Sequence, residues 1–297
     1  FSLEDCMKNL SDINVVKSLL SRHGFQFSKA LGQNFLINPE ICPKMATECG
    51  ADQTKGVIEV GPGFGVLTRE LAARANKVVA IELDKRLPAV LAETLRDFNN
   101  VKVVQADVME VDLHQLIQDE FSGLDVLVCA NLPYYITTPI LMQLFESELP
   151  FSHITVMVQR EVADRLCAAP GTADYSAITA AVSYYAKPRR LFTVSRGNFM
   201  PPPHVDSAVV RCDLYDTPPV RVKDKQTLFC VIRAAFAQRR KTLCNALTSA
   251  FPSFDKETIA ALLIKQNIPP QTRGETLDLM AFSRIADALF AAADSDK

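Results

Sequence analysis

The feature that most restricts the possible folds is a regular alternation of short apolar runs with segments of helical periodicity. The helical segments lie at about residues 66–75, 84–98, 112–121 and 138–147. The strand candidates, apolar almost throughout, are Gly56 to Val60, Lys77 to Ile81, Val101 to Gln105, Leu124 to Cys129 and His153 to Gln159. Such strands are typical of a parallel sheet covered on both faces. The pattern predicts a doubly wound α/β sheet with ligands at the carboxyl ends of its strands.

Further elements are predicted before this series. Ser11 or Asp12 can cap a helix that stops near Gly24. Asn38 with Pro39 opens a helix that ends at Gly50. We therefore expect a helical extension ahead of the sheet.

The chain changes character after residue 188. Residues 191–194 and 205–212 predict a late pair of strands around three prolines at 201–203. Thr217-Pro218-Pro219 predicts a linker, because consecutive prolines stiffen the chain. Helical periodicity follows at 224–249, 255–265 and 278–292. With 297 residues, the chain is expected to form two domains, a sheet domain over 1–216 and a small all-α domain over 217–297.

Composition excludes several classes of protein. Hydrophobic residues make up 48% and charged residues 22%, so disordered, collagen-like and coiled-coil chains are not expected. No apolar run approaches the roughly 20 residues that span a bilayer, and no signal-peptide layout is present. The eight cysteines form no CxxC pair, and the four histidines have no metal-ligand spacing. We expect a soluble, cytoplasmic, monomeric protein with reduced thiols and no metal.

The net charge of −2 hides an asymmetry along the chain. Residues 1–150 carry 13 Lys and Arg against 20 Asp and Glu, net −7, whereas 151–297 carry 19 against 14, net +5. Between Lys187 and Lys241, 12 basic residues face 4 acidic ones, net +8. This block favours binding of a polyanion such as nucleic acid, although a solvated basic face is also compatible with it.

The strongest local motif is a glycine turn after the first sheet strand. The sequence EVGPGFG, from Glu59 to Gly65, runs from a strand into a helix. Glycines allow close approach of a ligand. A dinucleotide fold would place glycine at 66, but Val66 stands there and Pro62 removes an N–H donor. The turn favours a ligand without phosphates, or else a tight turn that binds nothing.

Two further strand ends carry carboxylates. Glu82 follows the second strand and can accept both hydroxyls of a ribose, whereas Asp84 suits a local capping role. Asp107 follows the third strand and can accept from an adenine amine or cap the following turn. Together these positions predict an adenosine-containing ligand without phosphate, for which S-adenosylmethionine is the common candidate.

The fourth strand ends in Asn-Leu-Pro-Tyr-Tyr, from Asn131 to Tyr135. Pro133 restrains Leu132 to an extended conformation, so the Asn131 side-chain oxygen and the Leu132 main-chain oxygen can converge on one amine. Both acceptors together can hold a planar NH₂ group and aim its nitrogen lone pair. Tyr134 can stack on the base. This segment predicts transfer of a methyl group to an adenine amine, although an Asn-Pro turn with core tyrosines is the simpler interpretation of the segment alone.

These motifs, in this order, resemble those of the ribosomal RNA adenine dimethyltransferases, in particular the KsgA branch. The resemblance covers about residues 11–285 and includes QNFL at 33–36, IELD at 81–84, FMPPP at 199–203, VDS at 205–207, and Phe236 with RRKTL at 239–243. It implies a Rossmann-like methyltransferase sheet and dimethylation of two adjacent adenosines near the 3′ end of small-subunit (16S) ribosomal RNA during ribosome assembly. Ala106 departs from the family, in which many members have glycine there.

The resemblance also assigns roles to residues of this chain. Catalytic contacts to the target base are implied for Asn131, Leu132, Tyr134 and Phe199, with Phe199 as a second aromatic face. Contacts to S-adenosylmethionine are implied for Gln33, Asn34, Leu36, Gly61, Gly63, Glu82, Leu83, Asp107 and Asn131.

Basic residues are expected to bind the RNA of a small-subunit precursor. Three basic residues, Arg239, Arg240 and Lys241, lie near the end of a predicted helix. Their positive charges can interact with the negative end of the helix or with phosphates. We interpret them, with cations nearer the sheet, as a grip on the RNA backbone formed by Arg189, Arg190, Arg221, Lys223, Arg239, Arg240 and Lys241.

Three other functions remain compatible with the sequence. A large-subunit enzyme conferring macrolide resistance shares the chemistry, but the double tyrosine after Pro133 and the PPPxVDS and FxxRRKTL stretches argue against it. A noncatalytic assembly factor would use the pocket only for shape. A DNA adenine methyltransferase typically has Asp-Pro-Pro-Tyr or Asn-Pro-Pro-Tyr at this point.

Overall fold

A computed structural model of the protein describes residues 10, 12–25, 33–238 and 240–295. The strands are β1 (Phe35–Leu36), β2 (Lys55–Val60), β3 (Lys77–Glu82), β4 (Val101–Gln105), β5 (Asp125–Asn131), β6 (Phe151–Gln159), β7 (Ala186–Val194), β8 (Phe199–Met200) and β9 (Ser207–Leu214). The helices are α1 (Ile13–Arg22), α2 (Ile41–Glu48), α3 (Val66–Ala72), α4 (Leu87–Thr94), α5 (Leu113–Glu120), α6 (Thr137–Glu146), α7 (Arg160–Leu166), α8 (Ala177–Tyr185), α9 (Lys225–Ala237), α10 (Leu243–Ala250), α11 (Lys256–Lys265) and α12 (Leu279–Ser295).

Seven strands form one sheet in the order β4-β3-β2-β5-β6-β9-β7. The strands from β4 to β6 run parallel, and β9 pairs antiparallel with β6. The chain builds outward from β2 to β4 and then returns to the other side of β2 as β5. Ligands bind where the strand order reverses in this way, outside the carboxyl ends of the strands. The predicted α/β sheet is confirmed, and its reversal lies between β2 and β5.

Burial along the strands follows their place in the sheet. In β2 and β3 every residue after the first is buried, because neighbours lie on both sides. Strand β4 is apolar in sequence but largely exposed or half-buried, because it forms the edge of the sheet. The sequence predicts that all five strands are buried on both faces. Strand β4 departs from this prediction because it lies at the edge of the sheet.

Two core clusters place the amino-terminal segment beside the glycine turn. One packs α2 and α3 on the sheet, with Met45, Leu71 and Met157 fully buried. The other joins α1 and α4 to Phe35 and Phe64. As predicted, α1 is capped by Asp12, which accepts the Asn14 amide at 2.7 Å. Packing of this kind brings residues 33–36 to the carboxyl end of β2.

The chain divides into two compact units. One contains 1–163 and 189–214, and the other contains 164–188 and 215–297. The predicted boundary after 216 lies close to the third crossing between units, after residue 214, whereas the segment 164–188, predicted within the first domain, belongs to the helical unit. The division into domains at 216 stays a prediction.

The helical unit contains α8 to α12. The segment 224–249, read as one helical stretch, forms two helices, because Gln238 adopts an extended conformation and Thr242 begins α10. Helix α8 lies in a region to which sequence periodicity assigned no element. In the part of the chain that the structure describes, no helix has the length and apolar character that a membrane crossing requires. The same residues contain no cluster of His, Cys, Asp or Glu suited to a metal ion.

Candidate active site

An open cleft lies at the carboxyl ends of the parallel strands, within the sheet unit. Its free space, including the mouth that opens to solvent, is about 1080 Å³. The loops after β2, β4 and β5 and the end of β3 line it, together with residues 33–36. The structure therefore brings together Gln33, Asn34, Leu36, Gly61, Gly63, Glu82, Leu83, Asp107, Asn131, Leu132 and Tyr134.

The glycine turn forms the floor of the cleft. Gly61, Gly63 and Gly65 have φ angles of 69°, 60° and 84°, in the left-handed region that favours glycine. A Cβ at Gly63 would lie 2.8 Å from the Phe35 ring. Phe35 in turn stacks on Phe64 at 3.9 Å between ring centroids. A side chain at Gly63 would thus collide with the segment 33–36 that lines the cleft.

Glu82 and Asp84 have different partners at the end of β3. The Glu82 carboxylate accepts the main-chain N–H groups of Gly63 (3.3 Å) and Asp84 (2.8 Å). Burial raises the pKa of Glu82, and the hydrogen bond from the Asp84 amide opposes this increase. Asp84 instead pairs with Arg86, which holds its pKa at about 2, and accepts the Gln33 side-chain amide at 2.8 Å. Asp84 therefore anchors Gln33, while Glu82 lines the cleft.

Glu59 is a cleft residue that sequence reasoning missed. It is 1% exposed, it lines the cleft, and its Oε2 has no hydrogen-bond partner among the described residues. Burial, with the nearby Glu82 charge, raises the pKa of Glu59 to about 8. An acid inside an otherwise apolar strand was the signal available in the sequence.

Among the described residues, the cleft is lined by carboxyl groups and not by basic side chains. Glu59, Glu82 and Asp107 line it, and the described lining residues include no Lys, Arg or His. Pro62 in the turn has no N–H to donate. A phosphate would find no cation here, whereas a positively charged ligand would be favoured.

Asp107 caps the turn after β4, one of its two predicted roles, and also lines the cleft. Its Oδ1 accepts the Met109 amide at 2.9 Å, which closes the turn after β4. The residue also lines the cleft beside Leu83, which is 42% exposed, and Val108. Asp107 thus adds a carboxylate to a cleft that is also lined by the apolar side chains of Leu83 and Val108.

Two acceptors lie at the end of β5. The Asn131 Nδ2 group donates to the Asn34 carbonyl at 3.5 Å, which leaves Oδ1 as the unused side-chain acceptor. The Leu132 amide donates to Met157 at 3.1 Å. Neither Asn131 Oδ1 nor the Leu132 carbonyl receives a hydrogen bond within the described ranges. The loop thus offers two adjacent carbonyl oxygens, as the sequence predicts.

The two aromatic residues assigned to the target base differ in position. Tyr134 is half-buried and lines the cleft, and its hydroxyl is hydrogen-bonded to that of Ser207. Phe199 is 2% exposed and packs in the core, because β8 pairs with β1 and sets Phe199 opposite Leu36. The structure does not bring Phe199 to the cleft. Tyr135, 53% exposed, is the other aromatic residue of this loop at the cleft.

Comparison with known proteins decides the family. The family model described as ribosomal RNA adenine dimethylase matches residues 24–284. The chain belongs to the ribosomal RNA adenine dimethylase family. It is thus an enzyme, a methyltransferase, as the motifs predict.

Relatives in this family are similar over nearly the whole chain. Two proteins named ribosomal RNA small subunit methyltransferase A are 48% identical over 285 residues (Geobacillus thermodenitrificans) and 46% identical over 277 residues (Lysinibacillus sphaericus). These matches cover 95% and 92% of this chain and 97% and 94% of the relatives.

Solved structures show the same fold. A dimethyladenosine transferase from Plasmodium falciparum matches with a TM-score of 0.74 at 24% identity, covering 88% of this chain and 98% of that one. The 23S rRNA methyltransferase ErmE matches with a TM-score of 0.65 at 24% identity, covering 86% and 100%. The Rossmann-like methyltransferase sheet predicted from the motifs is therefore confirmed.

Residues expected to bind RNA are exposed wherever the structure describes them. In the sheet unit these are Arg189, which pairs with Asp213 at 3.3 Å, and Arg190. In the helical unit they are Arg221, Lys223, Arg240 and Lys241. Arg239 lies outside the described residues. The last two cations lie between α9 and α10 rather than within a helix.

Proposed function

We propose that this enzyme uses S-adenosylmethionine to dimethylate two adjacent adenosines near the 3′ end of small-subunit ribosomal RNA during subunit assembly. The observation that carries the proposal is a cleft lined by carboxyl groups and no basic side chain, next to two carbonyl oxygens, at Asn131 and Leu132, that accept no hydrogen bond from the described residues. One part suits a cationic nucleoside cofactor, and the other suits a target amine.

Residues of the cleft fit the methyl donor in chemical type. Glu82 would accept the ribose hydroxyls, and Asp107 the adenine amine beside Leu83. The unpartnered oxygen of Glu59 would accept the donor's ammonium group, which removes the cost of leaving a buried acceptor unpaired. Gln33, Asn34 and Leu36 would contact the methyl donor from the segment that leads into β1. Gly61 and Gly63 would contact it from the glycine turn after β2.

The chain's own contribution to the reaction is orientation. When bound, S-adenosylmethionine supplies a methyl group on a sulfonium, which becomes a neutral thioether as the new N–C bond forms. Asn131 Oδ1 and the Leu132 carbonyl would accept hydrogen bonds from the two N–H groups of the target amine. These bonds would direct the nitrogen lone pair out of conjugation with the base ring. Holding the reacting atoms in line lowers the barrier without an initial base. The proton of the alkylated amine would leave to solvent.

Recognition of RNA would depend on charge and on access to the base. An adenine amine inside a duplex cannot reach the cleft, so the target must be unpaired or extruded. Tyr134 would contact the extruded base. Arg189, Arg190, Arg221, Lys223, Arg239, Arg240 and Lys241 would contact phosphates, whose negative charge dominates RNA affinity. Each of these groups comes from one chain, so we propose that a monomer acts, in the cytoplasm.

The choice of the small subunit is supported by the names of relatives at 45–48% identity. The ErmE likeness, at 24% identity, bears on the fold alone. Transfer of tritium from labelled S-adenosylmethionine to undermethylated small and large subunits tests the proposal. Label in small-subunit RNA, at about four methyl groups per subunit by the proposed reaction, is the expected result. Label only in the large subunit would replace the proposed substrate with the macrolide-resistance one.

A further inference from the structure

A buried serine hydroxyl meets the tyrosine at the cleft. Ser207, the first residue of β9, is 0% exposed, and its hydroxyl is hydrogen-bonded to that of Tyr134, 73 positions earlier in the chain. Ser207 lies opposite Gln159 in the β6–β9 register, so β9 brings it under the loop that follows β5. This contact was not assigned a role by the sequence motifs.

The loop that carries Tyr134 is fixed in its backbone by bonds of its own. The Pro133 carbonyl accepts the Ile136 amide at 3.2 Å and the Thr137 hydroxyl at 3.0 Å. These bonds hold the main chain of the loop and do not involve the Tyr134 side chain. The contact with Ser207 holds the hydroxyl end of the ring.

Ser207 is itself held in a rigid position. The preceding residue, Asp206, accepts the Arg160 amide through its main-chain oxygen at 2.9 Å and the Arg196 amide through Oδ1 at 3.0 Å. Asn198, in the turn that begins at Arg196, accepts the Ile37 amide at 2.9 Å. The start of β9 is thereby joined both to the end of β6 and, through Asn198, to Ile37, which directly follows the cleft-lining residue Leu36.

We infer that Ser207 is a positioning residue for methyl transfer, whose hydroxyl holds the Tyr134 ring in the orientation that contacts the target adenine. The inference rests on the proposed function and deepens it. Burial raises the pKa of Tyr134 to about 12, so the tyrosine hydroxyl stays protonated and the contact is present at neutral pH. Ser207 touches neither substrate nor cofactor in this scheme and acts through Tyr134 alone.

A double-mutant cycle tests this coupling. Ser207→Ala and Tyr134→Phe remove the same hydrogen bond from opposite ends. Each is expected to lower kcat for methyl transfer about tenfold at saturating RNA and methyl donor, because a ring that is no longer held misplaces the amine. The double variant is expected to be no slower than either single variant, since the bond is already absent.

Binding of the cofactor product separates positioning from general damage. The Kd for S-adenosylhomocysteine is expected to stay within about twofold of the wild type in all three variants, because Glu82 and the glycine turn are untouched. Tyr175→Phe and Ser283→Ala remove buried hydroxyls that donate to the carbonyls of Leu277 and Met280 within the helical unit, and neither residue lines the cleft. These controls are expected to lose stability without a change in kcat.

Three results would overturn the inference. One is wild-type kcat in Ser207→Ala, and another is multiplicative losses in the double variant. The third is an equal loss of S-adenosylhomocysteine binding and kcat in both Ser207→Ala and Tyr134→Phe, which would indicate collapse of the cleft instead of misplacement of the ring. A wild-type enzyme that labels neither ribosomal subunit contradicts the proposed function, which is a different outcome.

Discussion

The side-chain nitrogen of Asn131 lies 3.5 Å from the main-chain oxygen of Asn34. The two residues are 97 positions apart, and their contact joins the loop after β5 to the segment that leads into β1. Because the amide nitrogen donates to Asn34, the amide oxygen is the atom left for a substrate. This single contact therefore decides whether Asn131 meets the target as an acceptor or as a donor.

Replacing Asn131 with Ala is expected to abolish most methyl transfer. Loss of one oriented hydrogen-bonding group in an active site typically costs 10²–10³ in kcat. RNA binding is expected to change little, since the phosphate contacts lie elsewhere. Tritium transfer and filter binding on the same preparations measure the two properties.

Asn76→Ala is the matched control, because Asn76 donates to the Gln53 carbonyl outside the cleft. It should transfer methyl groups at the wild-type rate. Undiminished methylation by Asn131→Ala would contradict the proposed grip on the amine. The noncatalytic assembly factor makes a different prediction, namely that the wild type itself transfers no methyl groups.

A second prediction concerns the ribose contact. Glu82→Gln keeps the shape of the side chain but replaces one acceptor oxygen with a donor. Affinity for S-adenosylhomocysteine is expected to fall roughly 10- to 100-fold, the range for hydrogen bonds to a charged group. Calorimetric titration measures the Kd.

Glu70→Gln provides the control for that titration, because Glu70 pairs with Arg74 on the surface of α3 and does not line the cleft. Its Kd should equal that of the wild type. An unchanged Kd in Glu82→Gln would remove Glu82 from the cofactor site.

The sequence predicts most of the sheet because its strands are continuous apolar runs whose order along the chain dictates a parallel arrangement. Contacts between distant segments were not predictable from it. The Tyr134–Ser207 bond and the Asn131–Asn34 contact depend on how β9 and β1 pack, and local patterns do not report that packing. Phe199 shows the same limit, since the pairing of β8 with β1 buries it.

Glu59 is a different case, because the sequence itself indicates it, as an acidic residue within a buried apolar strand. Burying a carboxyl group between Ile58 and Val60 in a strand costs free energy unless a hydrogen-bond or charge partner compensates it. The apolar run predicts a strand, and the acid within it indicates a polar site at that strand. The structure supplies the missing fact, an oxygen without a donor beside the cleft.

The pKa of Glu59 leads to a prediction about stability. Its pKa is about 8 in the folded protein against an ordinary 4.5, so the folded state retains a proton that the unfolded state loses. The stabilisation is fully present below pH 4.5 and is lost as the pH rises to about 8, at up to about 1.4 kcal/mol per pH unit. Glu59→Gln should therefore flatten the pH dependence of the unfolding free energy over this range.

Urea denaturation of the ligand-free protein at several pH values between 5 and 8 measures that effect. Glu82, whose pKa is also raised and whose charge acts on Glu59, contributes a slope to both proteins, so the difference between variant and wild type reports Glu59 together with its interaction with Glu82. Glu70→Gln should keep the wild-type slope. Parallel curves for Glu59→Gln and the wild type would show that Glu59 is ionised in the folded protein.

The last prediction concerns the cations between α9 and α10. Arg240 and Lys241 are exposed at the start of α10 and would contact phosphates in the proposed complex. Each phosphate contact contributes about 0.7–0.9 to the slope of log K against log salt concentration. Arg240→Ala and Lys241→Ala are each expected to reduce that slope by about this amount, with methyl transfer at saturating RNA retained. Lys265→Ala removes an exposed cation on α11 outside the predicted set and should leave the slope unchanged. Equal slopes for all three variants and the wild type would mean that the charges after α9 serve the helix end and its solvation instead of RNA.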